Sequence, residues 1–82
     1  MKEFKARLEI ARGDEIDSAI IEFAMEKGQV TRGGIVQKTK WKGRTVYGHL
    51  SALVEEGILG VVKRHRTNFY FLTDEAEEAL KK

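Results

Sequence analysis

The stretch from Thr45 to Leu72 leaves this chain few folds to adopt. Val46, His49, Leu50, Leu53 and Val54 recur at the three- and four-residue spacing of a helix buried along one side. Glu56-Gly57-Ile58 ends that helix: Gly57 suits a left-handed stop, and Ile58 is placed to fold back toward Leu53. Two β-branched and aromatic runs follow, Leu59-Gly60-Val61-Val62-Lys63 and Asn68-Phe69-Tyr70-Phe71-Leu72, separated by Arg64-His65-Arg66-Thr67. The pattern predicts a helix over about 44–56 that runs directly into a β-hairpin with a basic tip.

Upstream, Ile16, Ala19, Ile20, Phe23 and Ala24 form one apolar stripe, with Asp14, Glu15 and Asp17 in the first turn and Lys27-Gly28 at the end. Those are the acidic start and basic, glycine-terminated end of a helix over about 14–27. Gln29-Val30 is long enough for a single extended rung. Thr31 caps a second, shorter helix through Thr39, with Ile35 and Val36 inward. Gly33 and Gly34 each cost about 1 kcal/mol there relative to Ala. They mark either close packing on a neighbour or backbone approach to a phosphate, packing being favoured. Trp41 can staple the first turn of the third helix near Val46. Thr73-Asp74 starts a last helix, with Ala76, Ala79 and Leu80 inward. Residues 3–12 are ambiguous: Phe4, Ala6, Leu8 and Ile10 alternate as in a strand, while Phe4, Leu8 and Ala11 fit helical spacing. An extended segment or a short helix, packed on the domain or on a second copy, is expected.

With 82 residues the chain forms a single domain over 1–82 with one small core, and no Cys is present to brace it. The expected class is mainly α with a small β-hairpin (α+β). No nucleophile elbow or phosphate loop occurs, so no enzyme is expected. His49 and His65 lie sixteen residues apart with no thiolate or paired carboxylates at ligand spacing, so neither a metal centre nor a cofactor is expected. His49 reads as a core-edge residue. Charged residues occupy the start of the chain where a signal peptide needs an apolar run, and no 18-residue apolar stretch occurs. That predicts a soluble cytoplasmic protein without a membrane partner. Few Asn and Gln and no Cys, beside abundant Lys and Glu, suggest a thermophilic source.

The net charge of +2 hides a segregation. Residues 27–73 carry nine Lys or Arg against only Glu55 and Glu56, while both flanks are acidic. A basic middle between acidic flanks predicts one polyanion-binding face.

The order helix, rung, helix, tight loop, helix, hairpin, helix resembles the winged helix-turn-helix domains of archaeal and bacterial transcription regulators of the broad MarR, ArsR and PadR type. The most specific residues are Thr45-Val46-Tyr47-Gly48-His49-Leu50-Ser51-Ala52-Leu53-Val54-Glu55-Glu56-Gly57-Ile58-Leu59 and the wing return Tyr70-Phe71-Leu72-Thr73. Lys42-Gly43 stands where those families usually place a capping Ser or Thr, and the long terminal helices of MarR-type proteins are missing. The resemblance implies a three-helix core with a wing and a short C-terminal helix. It also implies a DNA-binding transcriptional regulator, bound to double-stranded DNA and nucleoid-associated. Its third helix would enter the major groove, and the wing over 63–67 would lie on the backbone or in the minor groove. Arg44, Thr45, Tyr47, Gly48 and Ser51 are then the base-contacting candidates. Arg32, Lys38, Lys40, Lys42, Lys63, Arg64, His65 and Arg66 are the phosphate-contacting ones. Residues 3–12 and the last helix are the surfaces available for a homodimer, and no small-molecule ligand is evident. Two other readings stay open: a winged-helix protein-interaction module, and an architectural protein binding DNA without sequence preference.

Overall fold

The computed structural model describes residues 2–81. In chain order these form α1 (Lys2–Gly13), α2 (Glu15–Lys27), α3 (Arg32–Thr39), α4 (Gly43–Glu55), β1 (Leu59–Arg64), β2 (Thr67–Leu72) and α5 (Asp74–Leu80). The strands pair antiparallel, from Leu59 opposite Leu72 to Arg64 opposite Thr67. Val30 adds a third rung on the far side of β2, exchanging backbone hydrogen bonds of 2.8 Å with Tyr70 in both directions. The core gathers Ile20 and Ile21 of α2, Ile35 of α3, Val46, Leu50 and Leu53 of α4, and Ile58 and Leu59.

Residues 3–12 are helical throughout. Leu8 and Ala11 are buried with Phe4 half-buried, so the four- and three-residue spacing decides the conformation. Ala6 and Ile10, which produce the strand-like alternation, face outward, and Ile10 is 74% exposed. The apolar stripe of α2 is wider than its sequence spacing implies. Ile21 is fully buried alongside Ile20 and Ala24, because α1, α4 and β2 all pack on this helix. No helix among the described residues is long and apolar enough to cross a membrane.

The helix ends follow the local chemistry. Asp14 Oδ1 accepts from the Ile16 and Asp17 amides at 2.9 and 3.0 Å. Thr31 Oγ1 caps α3 by accepting from Gly34 at 3.0 Å. At the end of α4 the Ile58 amide reaches Leu53 and the Gly57 amide reaches Val54, both at 3.0 Å, with Gly57 at φ +78°. This is the Schellman stop expected of Glu56-Gly57-Ile58. Thr73 Oγ1 donates to the Gly57 carbonyl at 2.7 Å and accepts from Ala76 at 3.2 Å, which docks the start of α5 onto that stop. The Phe71 ring lies over Gly60, where a β-carbon would stand 2.5 Å from it.

Candidate nucleic-acid interface

α4 turns Val46, Leu50 and Leu53 into the core, so Arg44, Tyr47, Gly48 and Ser51 fall on its outer side. Arg44, Thr45, Tyr47 and Gly48 are exposed and Ser51 is half-buried. The hairpin stands against this side. Tyr47 and Ser51 share a cleft of about 240 Å³ with Val61, Asn68 and Tyr70. A second cleft, of about 310 Å³, joins the start of α3 to α4 and the wing tip, and Arg32, Gly33, Tyr47 and Arg66 all line it. The Arg32 guanidinium carbon lies 5.8 Å from the centre of the Tyr47 ring, a cation–π distance that holds the ring against α3.

The wing tip is tight. Only His65 and Arg66 separate the paired residues Arg64 and Thr67, and both have positive φ, +50° and +67°. That is the sign pattern of a type I′ hairpin turn, which ordinarily selects Asn-Gly. Strand alternation sets Lys63 and its partner Asn68 on the same face as Val61 and Tyr70, toward α4. Arg64 takes the opposite face, with Val62 and Phe69.

The turn between α3 and α4 carries Lys40, also left-handed at φ +67°, and Lys42, which occupies the N-cap of α4 without a side-chain hydrogen bond. The missing capping Ser or Thr is thus a real feature of the helix start. Among the described residues, none of the basic candidates pairs with a carboxylate.

Folding does not bring every candidate together. Lys38 Nζ sits 5.4 Å from the centre of the Phe23 ring, on the flank of α3 away from Arg32. The cleft that Lys38 lines shares only Thr31 with the one containing Arg32 and Arg66. The packing account of Gly33 and Gly34 also gives way. A β-carbon at Gly33 would meet nothing within 4 Å, and one at Gly34 would meet only the hydroxyl of Thr31. Gly48 is equally open.

His49 is half-buried and bonded rather than part of an apolar stripe. Its Nδ1 donates to Asp17 Oδ1 at 2.6 Å and lies 3.8 Å from Asp14, linking α4 to the start of α2. The partners are 32 residues apart, so no local spacing announces them. Val61 and Asn68 were also missed as cleft residues, although strand alternation, followed from Tyr70, places both on the face toward α4.

No protein-family model matches the chain, and no curated protein matches it by sequence. Solved structures do match. HlyU from Vibrio cholerae N16961 superposes with a TM-score of 0.82 at 21% identity, over 98% of this chain and 88% of that one. An ArsR-family transcriptional regulator superposes at 0.77 and 16% identity, over 99% and 82%. The fold is that of the winged helix-turn-helix transcription regulators. The transcriptional repressor BigR from Xylella fastidiosa gives 0.77 at 22% identity, over 93% and 79% of the two chains. In winged-helix terms, α3 and α4 are the helix-turn-helix, β1 and β2 the wing, and Val30 the rung that joins them.

Proposed function

We propose that this winged-helix chain is a DNA-binding transcriptional regulator acting as a single domain, with α4 in the major groove and the wing on the flanking backbone or minor groove. The observation that carries the reading is the cleft in which Arg32, Tyr47 and Arg66 meet between the start of α3, the outer side of α4 and the wing tip. Arg44 continues the same side of α4 one turn toward its amino end, where helix residues reach base edges. The uncapped amides at that end suit a phosphate. Gly33 and Gly48 leave open space where a nucleic-acid backbone or base edge can approach.

A second feature supports it. The three non-glycine residues with positive φ among the described residues are Lys40, His65 and Arg66. A left-handed backbone costs about 1–2 kcal/mol at a residue with a β-carbon. Keeping basic side chains where Gly or Asn would relieve that cost fits a role outside the fold. The double change His65→Asn with Arg66→Gly is therefore expected to stabilise the chain by about 1 kcal/mol in urea unfolding while weakening duplex binding. A variant that is no more stable would refute the strain argument.

The protein-interaction reading gains nothing at Trp41, which is half-buried and packed against the core. For a second copy, α1 and α5 offer the surfaces, with Ile10 outward on α1. Light scattering at the concentration used for binding reports the oligomeric state.

The deciding experiment is selection from a random duplex library at two salt concentrations, followed by Arg44→Ala on the selected and on a random duplex. Arg44 is assigned bidentate contact with a guanine, so its loss is expected to weaken the selected duplex by roughly 1–3 kcal/mol more than the random one. Equal losses on both duplexes would remove base reading by Arg44 and leave an architectural DNA-binding protein.

A further inference from the structure

The cleft that takes Lys38 away from the DNA-facing side is the larger of the two that meet at Thr31, about 500 Å³ against about 310 Å³. It runs between the end of α2, the flank of α3 and the outer part of β2. Its floor is apolar: Phe23, Ile35 and Phe69. Its rim carries Lys27, Lys38 and Gln37, all exposed, and no carboxylate lines it. Neither lysine makes an ion pair among the described residues. Lys38 is nevertheless held in place, with its ammonium over the Phe23 ring at the edge of the cleft.

We infer that this cleft binds a small organic carboxylate with an apolar body, at a site separate from the DNA-facing surface. The volume lies within the range of small-molecule sites. The aromatic and aliphatic floor accounts for the body of the ligand, and the two ammonium groups with the amide of Gln37 account for its charged end. A single negative charge fits better than a phosphate, because an apolar floor penalises a doubly charged group that it cannot solvate. A ligand seated there would touch α2, α3 and the wing strand together, since Phe69 lies beside the Tyr70–Val30 rung.

The test is a titration of the isotope-labelled full chain, followed by amide chemical shifts, with 1-naphthylacetate and decanoate as probes. The neutral 1-naphthylacetamide and the acidic peptide Ac-Glu-Phe-Glu-amide run in parallel. The expected result is shifts confined to the neighbourhood of Phe23, Lys38 and Phe69, with 1-naphthylacetate bound at least about tenfold more tightly than its amide. Replacing Lys27 and Lys38 together by Gln should remove that preference while the amide spectrum away from the cleft keeps the pattern of the folded chain. Equal binding of acid and amide would overturn the inference, as would shifts around Tyr47 and Arg66 instead, or no shift with either acid at about 5 mM. Binding of the peptide with neither free acid bound would assign the groove to a protein partner and also overturn it. None of these readouts uses DNA, so the outcome is independent of the proposed function.

Discussion

Exchanging Lys63, Arg64 and Arg66 for Gln is expected to flatten the salt dependence of duplex binding and to weaken selected and random duplexes alike. If the intact surface neutralises about five to seven phosphates, log K falls against log salt with a slope of roughly −4.5 to −6.3, about 0.9 per phosphate. Removing three contacts lowers that slope in magnitude by about 2.7, which corresponds to a loss of roughly 500-fold near 0.1 M salt. All three side chains are exposed and unpaired among the described residues, so the change should leave the fold intact, and an unmoved thermal midpoint verifies it. Single exchanges sharpen the result. Lys63 stands on the hairpin face toward α4 and Arg66 in the cleft with Tyr47, whereas Arg64 takes the opposite face. Arg64→Gln should therefore cost the least of the three. Anisotropy titrations across a salt series measure each slope, and an unchanged slope in the triple variant would remove the wing from the interface.

The largest expected effect on stability is Leu53→Ala. Leu53 is fully buried where α4 faces the core. Truncating a buried leucine costs about 2–5 kcal/mol, part transfer and part cavity. A chain of 82 residues is held by only roughly 4–12 kcal/mol in total. The variant should thus lose between a sixth and all of its stability, seen as a lower urea midpoint at an unchanged slope. Val61→Thr on the exposed wing is the control and should change stability by less than about 1 kcal/mol, since Val61 is 44% exposed. A loss below about 1 kcal/mol for Leu53→Ala would mean that the core around α4 is looser than the complete burial of Leu53 implies.

Much of this fold was legible because its boundaries rest on local chemistry. Asp14, Thr31 and Thr73 each cap the helix that their sequence position announces, and Gly57 with Ile58 closes α4 as read. The order of elements and the single rung at Val30 follow from the same kind of short-range signal. The failures share a cause. Residues 3–12 fit two periods at once, and only packing against α2 selects the helix. The placement of Lys38 over Phe23, of Arg32 over Tyr47 and of His49 against Asp17 depends on how helices cross, which no window of sequence contains. The basic surface was therefore visible as a composition of the middle segment. Its division between the side shared by α3, α4 and the wing tip and a separate flank bearing Lys38 was not.

The two hydrogen bonds between Val30 and Tyr70 have a mechanical consequence. They fasten the residue just before the cap of α3 to the middle strand of the wing, so Arg32 and the hairpin tip are carried on one stiff frame. Such a frame has little freedom to spread or swivel to suit a groove of different width. Under the proposed function, a duplex seated across it would have to supply the adjustment through its own bend and twist, and discrimination would then extend to base steps that no side chain touches.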